Sequence, residues 1–306
     1  VHWRLATTAK KIIDWQKNGD VINFRRIILI GCLFLVSCSP LKLGYDYADW
    51  FMFWKLDSFF NLTAAQKEFL HPQVDQILAW HKTKELPLYV SLLRQVQEKA
   101  KDELTAAELD WVYAQSQERA EQTVKYIAPS FSIFLATLKG PQIERFKQNF
   151  FQQGVISPNS EQEELSEQTI GRIEQWTGKL NDDQEKLITK LRKSIPDISK
   201  NRALQSQKTR NTIISLMEQG GNATAIEQKL LELSINYQTT YSEEYGQQAK
   251  AQRKAFKDMV LGIDKMLTPI QRAHFLTKID LLIENIENIK EERDNRFFES
   301  LRRIVF

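Results

Sequence analysis

Glycine, cysteine and long apolar runs are scarce in this sequence, and each scarcity excludes something. Eleven glycines in 306 residues are about half the usual share, which disfavours turn-dense sandwiches and glycine-loop nucleotide folds. No G-x-S-x-G, P-loop or G-x-G-x-x-G pattern occurs. The two cysteines are Cys32 and Cys38, both close to the start. Beyond them the histidines are His71, His81 and His274; ten residues separate the first two, too many for an i, i+4 metal pair. No metal and no cofactor is expected. The longest apolar run, 27–36, rises only about 15 Å as a helix, half of what a bilayer core needs.

What is present is a foldable composition, 42% hydrophobic and 26% charged. Arg25 and Arg26 precede the apolar run, and Leu35-Val36-Ser37-Cys38 closes it. A basic stretch, a short apolar stretch and small residues make a secretory signal over 21–37. Residues 1–20 are long and mixed for such a signal, and Val21 offers a compact alternative start; they read as a mis-annotated extension. Residues 1–37 carry a net charge of +4 against +3 for the whole chain, so the remainder sums to −1. That balance, and aromatics not interleaved with basic residues, predict no nucleic-acid partner.

Leu35-Val36-Ser37-Cys38 resembles the lipobox of bacterial lipoproteins. The resemblance implies cleavage between Ser37 and Cys38, acylation of Cys38 and a partner membrane reached through N-terminal acyl chains. Two or more chains anchor stably where one does not. Ser39, in place of an inner-membrane-retaining Asp, implies the outer membrane, facing the periplasm. Cys32 leaves with the signal, so no intrachain disulfide remains.

Residues 38–44 form a tether to a helical domain over 45–306, with the best internal linker at 154–160 and two halves, 45–155 and 158–306, as one arrangement. The fold class is all-α, a multi-helix bundle or an elongated array of helical hairpins. Its helices are expected near 63–100 (bent near Pro72 or Pro87), 105–127, 129–138, 141–153, 159–178, 181–194, 197–219, 223–262 and 268–302. Half of residues 45–60 are aromatic. Tyr47, Trp50, Phe51 and Trp54 share one helix face, which either packs into the core or lies on a bilayer; Asp46, Asp49 and Asp57 favour the core.

One pattern recurs. Leu62-Thr63-Ala64-Ala65-Gln66 matches Leu267-Thr268-Pro269-Ile270-Gln271. The segments starting at Leu104 (with Thr105 and Glu108) and Leu180 (with Asn181 and Gln184) are close variants. The one at Ala223 is weaker, and Leu138-Lys139-Gly140-Pro141-Gln142 keeps only its ends. Thr or Asn as N-cap with Gln or Glu three residues later is a capping box, and Pro269 suits the first helical position. The Leu-Thr-x-x-Gln motif resembles that of small periplasmic stress chaperones of the Spy/CpxP type, which implies binding of unfolded proteins. Tyr45, Asp49-Trp50, Leu78-Ala79-Trp80-His81, Glu85-Leu86-Pro87, Tyr89 and the segment from Leu267 to His274 resemble a functionally uncharacterised family of proteobacterial lipoproteins. The expected function is non-enzymatic binding of proteins or envelope components. The rival is an envelope or cell-wall hydrolase, which would need Glu85 to meet His81 or Tyr89; otherwise His81 and Glu85 form a polar surface. Glu161, Glu163, Glu164 and Glu167 read as a solvated face, and Arg302 and Arg303 as dipole-compensating charges.

Overall fold

Capped helix starts and apolar stripes account for the element order. The computed structural model describes residues 40–152, 162–220 and 222–290. Ser37 and Cys38, the segment 1–37, the linker 154–160, Glu161, Arg302 and Arg303 lie outside the described residues. Two units are present, Val1–Asp46 and Tyr47–Phe306. Of the first, α1 (Pro40–Asp46) is described, with Lys42 Nζ 4.0 Å from Asp46 Oδ1.

The second unit runs α2 (Ala48–Phe60), α3 (Ala64–Trp80), a π-helical turn (His81–Glu85), α4 (Leu86–Lys99), α5 (Ala106–Ala136) and α6 (Gly140–Gln152). It continues with α7 (Gln162–Thr177), α8 (Asp182–Lys193), α9 (Ser199–Glu218), α10 (Ala223–Ser234), a 3₁₀ turn (Tyr237–Thr240), α11 (Glu243–Lys265) and α12 (Pro269–Lys290). No strand occurs among the described residues, so the fold is all-α. None of the described helices is long and apolar enough to cross a membrane. Packing does not follow chain order. Helix α10 lies along α5, α9 touches α6, and α4 packs on α12.

Two boundaries differ from the sequence expectation, and the bend expected near Pro87 takes the form of a π turn. Helix α5 runs unbroken through Pro129, over 31 residues or about 46 Å. Ala128, Ser132, Phe134 and Leu135 are buried around the proline, so packing outweighs the one backbone hydrogen bond it removes. The 63–100 segment is interrupted by the π turn just before Pro87, whose ring would collide with the carbonyl of Thr83 in a regular helix. The 223–262 helix is two helices. Ser242 caps α11 by accepting the Tyr245 N–H at 3.2 Å.

Helix α2 carries the largest correction. The face expected in the core is the exposed one: Tyr47, Trp50, Phe51 and Trp54 are 42–52% exposed. The opposite stripe is buried instead. Phe60 stacks on Phe146 at 5.0 Å and meets Phe134 edge-on at 5.1 Å. Phe53 lies 4.0 Å from the His71 ring. Asp57, which favoured the core reading, is turned to other work: it accepts the Leu62 N–H at 2.9 Å and lies 3.4 Å from Lys67. Both faces of α2 are aromatic, and periodicity alone does not tell which one meets the protein.

The main core gathers Phe60, Leu70, Phe134, Leu138, Ile143 and Phe146 with Ile214, Met217 and Ile226 from α9 and α10. Ile279, Ile283, Ile286 and Ile289 form the buried stripe of α12. Phe134 has no exposed surface and touches both Phe60 and Phe131. Phe134→Ala should cost about 3–5 kcal/mol in urea unfolding; a loss below about 1 kcal/mol would show that this cluster is not the core's centre.

Candidate functional site

The recurring motifs are helix starts. Thr63 Oγ1 accepts the Gln66 N–H at 3.3 Å, and Gln66 Oε1 accepts the Thr63 N–H at 3.0 Å. The same exchange joins Thr105 to Glu108 (3.2 and 3.0 Å), Asn181 to Gln184 (2.9 and 3.0 Å) and Thr268 to Gln271 (3.3 and 3.0 Å). The Ala223 segment departs: Asn222 is its cap and holds the Ala225 N–H at 2.8 Å, which leaves Glu227 beyond the box. Leu62 and Leu180 are buried and Leu267 half-buried. A carboxylate receives the backbone N–H of three of these leucines: Asp57 that of Leu62 (2.9 Å), Glu174 that of Leu180 (3.1 Å) and Asp264 that of Leu104 (2.6 Å). Left-handed residues reverse the chain before two of the motifs, Asn61 at φ 51° and Gly178 at φ 79°.

Sequence reasoning missed what the glutamines do next. Gln66 and Gln142 exchange side-chain hydrogen bonds at 3.2 and 2.8 Å, and Gln184 and Gln271 do so at 2.8 and 2.9 Å. All four are buried. The remaining N–H of each finds an oxygen. Gln66 donates to Thr137 Oγ1 (3.0 Å), Gln142 to Phe60 O and Asn61 O (3.2 Å each), Gln184 to Met266 O (2.9 Å) and Gln271 to Lys179 O (2.9 Å). Each amide thus uses two donors and both acceptor lone pairs, the full capacity of a glutamine. Glu108 has no such amide partner: a carboxylate has no N–H to return, and it lies half-buried 3.8 Å from Lys99 Nζ.

The second pair stands beside a large cleft. A cleft of about 1000 Å³ opens between α7, α8, α9, α11 and α12 and includes Leu267 and Leu104 in its wall. That wall is fixed by Asp264 and Arg272. Arg272 donates to Asp264 Oδ1 at 2.9 Å, to Ala100 O at 2.9 Å and to Asp102 O at 2.7 Å, tying the end of α4 to α11 and α12. Buried Ile198, Met259 and Tyr245 make part of the lining. Tyr241 meets Tyr245 edge-on at 4.6 Å and Tyr237 at 5.8 Å. Burial pushes the Tyr241 hydroxyl up to about 12, so it stays a neutral donor. Trp176 lies 6.1 Å from Phe275.

The His81–Glu85 pair is not a polar surface. Glu85 is only 3% exposed, and the wider π turn shifts the phase of the helix so that this position faces inward. Arg119 NH1 lies 3.7 Å from Glu85 Oε1, while Glu85 Oε2 has no hydrogen-bond partner. Tyr89 meets the His81 ring edge-on at 5.5 Å, and Trp80 stacks on Tyr126 at 4.0 Å. Among the described residues no group of three or more His, Cys, Asp or Glu is arranged to hold a metal. Burial pulls the His81 imidazole below its ordinary 6.5, with Glu85 opposing. A lowered folded value means that the unfolded chain takes the proton first as pH falls below 6.5, so stability drops through that window. His81→Gln should flatten this slope in pH-dependent thermal melts; an unchanged slope would assign it to other groups.

Compared with known families, residues 58–246 match DUF6279, a family of unknown function. No curated protein and no solved structure matches the chain. The matched span contains the helices α3 to α10 and Gln66, Gln142 and Gln184, whereas Gln271 lies beyond it. On that match the chain belongs to the DUF6279 family of unknown function.

Proposed function

We propose that this protein is a non-enzymatic binding lipoprotein of the bacterial envelope, anchored by Cys38 to the outer membrane and facing the periplasm. One observation carries the reading. The exposed aromatic stripe of α2, with Trp50 and Trp54 rings stacked 6.3 Å apart, begins nine residues after the lipobox cysteine. Trp and Tyr favour the headgroup level of a bilayer, and an aromatic stripe left in water so few residues after a lipid anchor has a ready place to go. Lys55 snorkels along the same helix, its Nζ 5.7 Å from the Trp54 ring. The resemblance to proteobacterial lipoproteins agrees with this placement. Non-enzymatic binding fits the large cleft, whose carboxylate Asp264 has both oxygens engaged and is not poised as a base.

A second reading, a holdase for unfolded envelope proteins, is favoured by an apolar groove of about 310 Å³ beside the stripe, lined by Phe51, Leu56, Ile77, Ile127 and Phe131. The capping motifs lend it less, because their glutamines are occupied in joining helix ends.

The test is metabolic labelling with an alkyne palmitate analogue, followed by outer-membrane fractionation, on the full chain and on Cys38→Ser. The expected result is label and outer-membrane recovery for the wild type and neither for Cys38→Ser. An unlabelled wild type, or fractionation indifferent to Cys38, would overturn the proposal.

A further inference from the structure

The cleft joins two features that seldom coincide by packing alone: an aromatic lining and arginines without carboxylate partners. Arg172, Arg192, Arg202 and Arg253 reach it from four different helices, α7, α8, α9 and α11. None of the four is in an ion pair among the described residues, although the chain holds almost as many acids as bases. Arg253 lies over the Tyr113 ring at 5.1 Å, and Arg202 is hydrogen-bonded to Gln252, so both are partly positioned by neutral groups. Two acids stand nearby. Asp264 is neutralised by Arg272, and Asp197, whose carboxyl is drawn below its usual range chiefly by the Ser199 backbone N–H, feels Arg192 and Arg202 only at longer range. Trp176 and Phe256, 42% and 54% exposed, stand at the same concavity as the arginines.

We infer that the cleft is a binding site for a small anionic amphiphile, a phosphate or carboxylate head on an apolar chain. The head is held by the arginines, whose planar forks suit an oxyanion, and the chain lies on the tyrosine, Trp176 and Phe256 surface. The volume, about 1000 Å³, is large enough for a ligand of that size. The apolar body distinguishes this ligand from a free phosphate, and four arginines outside any ion pair among the described residues distinguish it from a neutral lipid. The inference does not depend on whether Cys38 is acylated.

The probe is a diazirine-bearing octyl phosphate, compared with the neutral octyl glucoside carrying the same diazirine. Both are photo-crosslinked to the full chain below their aggregation concentrations and mapped by peptide mass spectrometry. Octyl phosphate should label peptides of α7 and α11 saturably, and the glucoside about tenfold less, the equivalent of one charge-assisted hydrogen bond. Arg172→Gln with Arg192→Gln should bring the phosphate probe down to the glucoside level. If that double variant melts early, Arg172→Gln alone carries the test, since Arg172 has no ion pair to lose. Trp50→Ser with Trp54→Ser should leave the labelling unchanged. Equal labelling by both probes, labelling that does not saturate, labelling centred on α2, or indifference to the arginine variants would each overturn the inference.

Discussion

Two reciprocal glutamine pairs hold the helix ends of this protein in register. A helix start presents backbone N–H groups that the helix cannot satisfy. A capping box satisfies two of them with a Thr or Asn and a Gln. Here the same Gln also reaches across to the corresponding Gln of a second helix start and exchanges hydrogen bonds with it. Gln66 and Gln142 join α3 to α6, and Gln184 and Gln271 join α8 to α12. Residues 76 and 87 positions apart in sequence are thereby fixed side by side. Only a neutral amide can do this, because it both gives and takes hydrogen bonds. A glutamate at any of the four sites would set an unpaired charge or two facing oxygens in a buried place, which is costly.

The exposed stripe of α2 and the cleft follow from that register. The first pair sits under the aromatic core, where Gln142 also binds Phe60 O at the end of α2. Fixing that end commits Phe60 inward and leaves Trp50, Phe51 and Trp54 on the outside. The second pair fixes the start of α12 against α8, and Arg272, the residue after Gln271, locks Asp264 and the α4 end. Those contacts hold one wall of the arginine-lined cleft. The exposed aromatic stripe and the cleft are thus each set by one copy of the same device.

The local chemistry of this fold was legible in the sequence, and its tertiary use was not. Thr63, Thr105, Asn181 and Thr268 read as caps because capping depends on residues three apart. The pairing of Gln66 with Gln142 depends on residues far apart, and the Leu138 segment, lacking a capping side chain, looked like the poorest copy. The signal that could have found it was the choice of Gln over Glu at four of the motifs. The α2 stripe was misassigned because the helix is aromatic on both sides. The split near Asn236 was masked by strong helix formers on either side of it. Glu85 turned inward because a π turn breaks the helical count that placed it on the surface. The cleft draws its arginines from four helices, a convergence that no spacing rule within one segment can show.

The most direct test of this account is a double-mutant cycle on Gln184 and Gln271, using Gln184→Met, Gln271→Met and the pair together, followed by urea unfolding. If the amides form a mutually satisfying pair, each single change strands its partner's donor and acceptor. The singles should then sum to more than the double, with a coupling of about 1–3 kcal/mol. Single losses that simply add, with a coupling below about 0.5 kcal/mol, would contradict the claim that the glutamine pairs hold the helix ends in register.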